Sequence, residues 1–353
     1  MKEMKKVMML VVAVATLMLT GCKKEFTITV QSNNSAWGSV TGGGTYAEGT
    51  VISIEAKANS GYQFVSWQDG NTSNPRSITV KSNETYKATF ECILLFSVSE
   101  TETVYFSPGN LQWCATGSHQ VADGTAAGTW RFAPNQWDTI GAANNNIDSA
   151  YTGWIDLFGW GTSGYEEKYP YMSSGVETEY VLGPKDIAGT NYDWGVYNAI
   201  DNPQTNSTDA PGTWRTLTYD ELNYLMETRT TTSGIRYAKA TVNGVQGLVI
   251  VPDRWNTSVY TLNETNTINS TFASNIINGT DWDKIESFGC VFLPAAGNRV
   301  MNSTYSIGIQ GSYWTTTTTS GRVYFLNFYA NAVKIAYQNR MVGYSVRLVR
   351  SAE

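Results

Sequence analysis

The chain has 353 residues, 42% of them hydrophobic and only 15% charged, with 12 Trp, 21 Tyr and a formal net charge of −6. This composition leaves room for two or three domains and excludes a chain that is disordered throughout. Setting aside residues 1–21 removes three Lys and one Glu and brings the balance to −8. That excludes non-specific attachment to a nucleic-acid phosphate backbone, and no basic patch interleaved with aromatics appears.

Residues 1–21 read as a targeting segment. Lys2, Lys5 and Lys6 precede an apolar run from Val7 to Leu19, too short and too one-sided for an ordinary spanning helix. The run ends in Leu19-Thr20-Gly21-Cys22, which resembles the lipobox of bacterial lipoproteins. The resemblance implies lipidation of Cys22, membrane attachment through acyl chains and a charged tether over 22–25. The expected location is the bacterial outer membrane, lipid-anchored at the cell surface, a face that residues 19–25 by themselves leave open. The remaining cysteines, Cys92, Cys114 and Cys290, match no zinc or thioredoxin spacing and allow at most one disulfide. Cys290, inside GCVFLP, reads as a buried small hydrophobe.

Residues 26–92 contain strand-like runs (FTITVQ, TVISIEAKA, YQFVSWQD, RSITVKS, TYKATFE) separated by turn clusters at 42–44, 59–61 and 69–71, with no helical period. WGSVTGGGTYAEGT, NSGYQFVSWQDGNTSNPRSITV and TYKATF resemble the internalin B-repeat-like module of bacterial surface proteins. The resemblance implies a small β fold that serves as a spacer or adhesive unit. Tyr62, Phe64 and Trp67 are expected in its core.

Residues 93–353 form the main domain. Strand-like runs open it, and a Gly/Ala-rich loop follows at 123–128. Trp- and Gly-dense segments span 129–141 and 151–165. LTYDELNYLMETR (217–229) predicts a helix, with Thr218 and Glu221 as a capping box. KATVNGVQGLVIVPD predicts a hairpin around Asn243-Gly244. WDKIESFGCVFLP predicts a short helix and then a buried strand. Residues 185–215 and 256–281 lack periodicity and read as loops. VYFSPGNLQW (104–113), TWRFAPNQWDTIG (129–141), TGWIDLFGWGTSGY (152–165), VFLPAAGNR (291–299), GSYWTTT (311–317) and GYSVRLVR (343–350) resemble a C-type lectin-like domain related to the formylglycine-generating-enzyme family. The expected fold class is mainly β with some α: a small β module, then an α+β domain with loop-rich insertions. The resemblance implies that strands near 104 and 344 pair.

The closing stretch, Gly311 to Val349, alternates apolar and polar residues in three runs. Tyr324, Leu326 and Phe328 share one face, and Phe325, Asn327 and Tyr329 the other. Val333 and Ile335 oppose Lys334 and Ala336. Tyr344, Val346 and Leu348 oppose Ser345 and Arg347. A turn is expected at Tyr329–Ala332, where Asn331 tolerates a left-handed backbone. The inner face reads as core and the outer face as a surface of rings, a cation and small residues. The candidate ligand-binding residues are therefore Phe325, Tyr329, Ala330, Ala332, Lys334, Ala336, Tyr337 and Met341. Trp314 is expected in the core, with Arg340 and Arg347 supporting the fold. In one branch of the resembled family a retroelement diversifies this segment, and the alternation here fits variable positions on a constant hairpin.

Catalytic chemistry finds little support. His119, the sole histidine, sits in a Gly/Ser-rich loop without a nucleophile-elbow motif. The related enzyme family uses cysteines near the C-terminus, and 311–353 has none. Asp138, Asp156, Asp193 and Asp220 offer carboxylates, but nothing pairs them. The calcium-ligand triplets Glu-Pro-Asn and Gln-Pro-Asp are absent. The expectation is a non-enzymatic binding protein with no cofactor and no catalytic metal, whose partner is an extracellular protein or glycan. The alternatives are a carbohydrate-active or formylglycine-type enzyme on the same scaffold, and a fimbrial subunit.

Overall fold

The computed structural model describes residues 23–59, 61–116, 128–172, 175–176, 180 and 185–352. The targeting segment, Cys22, His119 and residues 123–127 of the Gly/Ala-rich loop lie outside the described residues. The chain divides into two compact units. The first runs up to Asn59 and resumes over Phe64–Glu91. The second comprises Ser60–Gln63 and Cys92–Glu353.

The first unit is all β. One sheet contains β1 (Glu25–Ser32), β3 (Gly44–Ala47), β5 (Tyr62–Trp67) and β7 (Glu84–Cys92), in the order β3-β1-β7-β5. The other contains β2 (Gly38–Thr41), β4 (Val51–Ala58) and β6 (Arg76–Thr79), with β4 central. The period-two pattern is obeyed. Ile54 and Ala56 of β4 and Ala88 and Phe90 of β7 turn inward, whereas Val51, Glu55, Lys57 and Lys87 face solvent. Trp67 is fully buried, with Phe64 against it at 5.5 Å between ring centroids. Gly38 is required by close approach, because a Cβ there would lie 2.5 Å from the Phe90 ring.

The second unit is mainly β with short helices. Its first sheet pairs β8 (Phe96–Ser97), β9 (Thr103–Phe106) and the C-terminal β23 (Val349–Ser351), with Tyr105 opposite Arg350. The two ends of the domain are thus joined, as the resemblance implied. A second sheet runs β10 (Leu111–Cys114), β11 (Thr129–Phe132), β12 (Ile200–Asn202) and β13 (Ser207–Asp209). A third contains β14 (Tyr237–Val242), β15 (Val245–Ile250), β16 (Ile276–Ile277) and β17 (Val291–Pro294) in the order β16-β14-β15-β17. The β14–β15 turn is at Asn243-Gly244, both with positive φ. A two-stranded ribbon follows: β18 (Asn298–Val300) and β19 (Ser303–Tyr305).

Three α-helices accompany these sheets among the described residues: α1 (Trp194–Tyr197), α2 (Tyr219–Asn223) and α3 (Gly279–Ser287). α2 starts at the anticipated capping box. Thr218 accepts the Glu221 N–H at 3.2 Å, and the Glu221 carboxylate accepts the Thr218 N–H at 2.8 Å. It continues as a π turn over Tyr224–Thr228. Residues 185–215 and 256–281 are not bare loops. They hold α1, β12, β13, β16 and the start of α3, elements too short to leave a period in sequence.

The last sheet contains β20 (Gly311–Thr319), β21 (Arg322–Tyr329) and β22 (Ala332–Gln338), with β21 in the middle. The anticipated turn is present, with Tyr329 paired to Ala332 and Asn331 at φ 66°. The sheet has core on both sides. Leu326, Phe328 and Val333 join one apolar cluster with Leu225, Leu248 and Leu293. Val323 and Phe325 join another with Trp113, Trp160, Trp314, Tyr344 and Val346. The outer face of β21 expected to meet solvent is therefore interior. The third run, 344–348, makes only single bridges, Phe158 to Tyr344 and Tyr313 to Ser345, and Ser345 and Arg347 are buried as well as Tyr344, Val346 and Leu348. The described cysteines Cys92, Cys114 and Cys290 are free thiols, and Cys290 is buried as expected.

Candidate functional site

The eight residues anticipated as a binding face do not share one. Phe325 is only 5% exposed, with the Tyr344 ring centroid at 4.5 Å and that of Trp314 at 5.9 Å. Ala332 is buried, and Ala336 packs against the same cluster as Phe325. Phe325, Ala332 and Ala336 are thus corrected from ligand contacts to packing residues. Alternation locates two faces, but both are dry at Phe325 because segments 111–113, 130–132, 155–160 and 344–348 contribute to the cluster over the second. Met341 is half-buried beyond the strand. Tyr329, Ala330, Lys334 and Tyr337 are exposed.

Those four fall into two places. Tyr329, Ala330 and Lys334 sit at the β21–β22 tip, with the Lys334 ammonium 5.9 Å from the Tyr329 ring centroid. The tip is held from below. Asn331 N–H donates to Ser270 O at 3.3 Å, and Lys239 Nζ donates to Ile268 O and Ser270 O, both at 2.9 Å. Burial lowers the Lys239 ammonium pKa to about 8.

Tyr337 lies three residues further along β22, about 10 Å away at strand rise. It is 55% exposed and pairs across the ladder with Tyr324. The Tyr324 ring lies 6.4 Å from that of Tyr337, edge to face, and 4.2 Å from that of Tyr219 on α2. The Arg322 guanidinium stands 5.4 Å from the Tyr337 centroid. Arg322, Tyr324 and Tyr337 occupy one face of the β21–β22 ladder, where the apolar cluster ends. The result is a row of three tyrosines, from α2, β21 and β22 in turn, with a cation at its exposed end; among the described residues β22 is paired on one side only. Tyr219, Tyr324 and Arg322 were not anticipated as site residues. The signal was present: once Tyr329 pairs with Ala332, five steps back along each strand bring Tyr324 opposite Tyr337.

The carboxylates have structural duties. Asp138 accepts from the Asn135 backbone N–H at 2.9 Å and from its amide at 3.1 Å. Asp156 accepts from Asn144 Nδ2 at 2.8 Å and Ile140 N–H at 3.0 Å, and burial raises its pKa to about 6. Asp193 accepts from Thr216 Oγ1 at 2.8 Å and Thr216 N–H at 2.9 Å, and burial likewise raises it to about 6. Asp220 lies in the first turn of α2, where a negative charge complements the helix dipole. A cleft of about 160 Å³ opens between Phe106, Gln204 and Val291. Among the described residues Glu286 is the one carboxylate that lines it, and its Oε1 accepts from Gln136 Nε2 at 2.7 Å. That cleft lacks the pair that glycoside hydrolysis uses. Among the described residues no group of three or more His, Cys, Asp or Glu side chains is arranged to hold a metal ion. Arg347 supports the fold, donating to Gln136 Oε1 at 3.1 Å and to Phe292 O; burial lowers its pKa to about 10.

Residues 28–94 match the family model of the divergent InlB B-repeat domain. The match covers the two sheets and the Trp67 core described above, so the first unit carries a B-repeat, a module of the surface or adhesin-like kind. No curated protein and no solved structure matches the chain. Among the described residues no helix is long and apolar enough to cross a membrane.

Proposed function

We propose that this chain is a cell-envelope recognition protein: the B-repeat is its surface module, and the second unit binds a protein or glycan without covalent chemistry. The observation that carries the reading is the tyrosine row Tyr219–Tyr324–Tyr337 capped by Arg322. Aromatic rings held by packing give large contact area at little entropic loss, and a guanidinium beside them adds a directional donor. Tyr329 and Lys334, at the hairpin tip, belong to the opposite face of the ladder and form a separate small patch, not a continuation of the row. The LTGC sequence at 19–22 supports lipidation at Cys22 and anchorage to the outer membrane, facing outward. Diversification of the closing segment fits Tyr329, Ala330, Lys334 and Tyr337, whose side chains change without disturbing the core; it does not fit Phe325 or Ala332. The chemistry favours recognition over catalysis, since each carboxylate weighed as a catalyst is tied to structure and the cleft holds one acid.

The test is binding of the purified protein to panels of glycans and cell-surface proteins, followed by titration of the strongest ligand. Tyr337→Ala and Arg322→Ala are each expected to weaken that ligand tenfold or more with the fold intact by circular dichroism. Affinity within twofold of the parent for both variants would overturn the assignment of this face.

A further inference from the structure

The closing segment of the second unit buries a guanidinium that no carboxylate of the described residues touches. Arg347 is 5% exposed, and its Nη2 donates to Gln136 Oε1 at 3.1 Å and to Phe292 O. Glu286 is reached only at second hand, because its Oε1 accepts from Gln136 Nε2 at 2.7 Å. Nε and Nη1 of Arg347 are sealed from solvent and have no hydrogen-bond partner among the described residues. With its pKa lowered to about 10 by burial, the group keeps its charge at neutral pH. A guanidinium donates on every nitrogen and accepts nothing, so these N–H groups call for an acceptor. Charged donors left unmet in a dry interior cost more than neutral ones.

Arg347 lines a cavity of about 20 Å³. Such a volume admits one particle the size of a water molecule and no organic ligand. The remaining walls are apolar except for Tyr313 and Thr315, and both hydroxyls are engaged in both directions. Tyr313 Oη donates to Pro294 O at 2.8 Å and accepts from Asn110 Nδ2 at 3.1 Å. Thr315 Oγ1 donates to Tyr324 O at 2.7 Å and accepts from the Thr317 N–H at 3.3 Å. The chemistry then chooses between a water and a monatomic anion. A water accepts from Arg347 but brings two hydrogens of its own, and a buried water ordinarily makes about three bonds. The lining side chains offer no unengaged acceptor for those hydrogens. A halide ion needs donors only, and its charge offsets that of the guanidinium.

We infer that the cavity beside Arg347 is a halide site, which binds chloride in the folded protein through the Nε and Nη1 N–H groups. Leu222 of α2, Thr315 of β20 and Leu326 of β21 line it together with Arg347, so only the folded chain assembles the site, and chloride stabilises the fold by linkage. Two measurements on the purified protein test this. Crystals grown from sodium bromide, with diffraction recorded at the bromine edge, are expected to show one anomalous peak in the cavity, within hydrogen-bond reach of Nε and Nη1. Density there without anomalous signal marks a water and overturns the inference, as does the absence of density. In solution, urea unfolding is followed while chloride replaces gluconate, an anion too large for the cavity, from about 5 to about 500 mM at constant ionic strength. The unfolding midpoint is expected to rise with chloride, and equally with bromide. A bromide peak with a flat midpoint marks an adventitious ion only and also overturns the inference. Arg347→Met keeps an apolar stem of similar length, removes the donors, and is expected to abolish the chloride dependence. Full dependence in that variant places the ion elsewhere and overturns the assignment; if the variant does not fold, the two measurements on the parent decide.

Discussion

Phe325→Ala separates a buried strand face from a ligand-contacting one. The ring is 5% exposed, lies at the centre of the middle strand, and contacts Tyr344 at 4.5 Å and Trp314 at 5.9 Å. Truncation removes the transfer free energy of a phenyl ring and leaves a cavity that the two neighbouring rings fill poorly. Comparable Phe→Ala changes cost about 3–5 kcal/mol. For a unit of this size that corresponds to a fall of roughly 6–20 °C in melting temperature. Tyr337→Ala, at an exposed edge position, should cost less than about 1 kcal/mol. The assay is urea unfolding of the protein followed by near-ultraviolet circular dichroism, which reports the packed Trp and Tyr rings of the second unit. Equal, small losses for Phe325→Ala and Tyr337→Ala would refute the argument, because they would mean that segments 111–113, 130–132, 155–160 and 344–348 do not seal the face of β21 that carries Phe325.

Two further outcomes are expected. Asp156 and Asp193 carry folded pKa values of about 6, raised by burial, so between pH 4 and 6 the folded state binds more protons than the unfolded chain and stability falls as pH rises. Each contributes up to about 3 kcal/mol across that window, and melting temperatures from pH 4 to 7 should show a decline that Asp156→Asn or Asp193→Asn flattens; an unchanged slope in both variants contradicts the assignment. Asp253→Ala should destabilise the second unit by about 3–5 kcal/mol, because it strands the buried Arg229 guanidinium, now 2.7 Å from Asp253 Oδ1, and frees Ser97, whose N–H and Oγ donate to Oδ2 at 2.8 and 2.5 Å. Denaturant titration measures it, and a loss below about 1 kcal/mol shows that water solvates Arg229 in place of the carboxylate.

Much of this architecture was legible before any coordinates. The strand-like runs of the B-repeat, the Thr218–Glu221 cap, the Asn243-Gly244 turn and the Asn331 turn are set by residues close in the chain, where period, capping and backbone preference act directly, whereas the Trp67 core, joined from Ile28 to Phe90, followed from the resemblance. The side-by-side placement of strands near 104 and 344 came from resemblance, since no local signal joins segments so far apart; the ladder itself pairs Val104–Phe106 with Val349–Ser351. The tyrosine row, exposed at Tyr337 and half-buried at Tyr219 and Tyr324, was half legible: turn register brings Tyr324 to Tyr337, but nothing near them in sequence brings Tyr219.

The burial of the second strand face was beyond reach of the alternating pattern. Period two assigns residues to two sides of a strand and says nothing about what lies over either side. Phe325 is interior because Trp113, Trp160 and Tyr344, contributed by distant segments, pack over it. Tyr337 stays outside because β22 is the last strand of its sheet. Local chemistry thus determined the strands, turns and caps of this protein. Which aromatic rings meet solvent was decided by tertiary packing, because exposure depends on neighbours that the chain supplies only after it has folded back on itself.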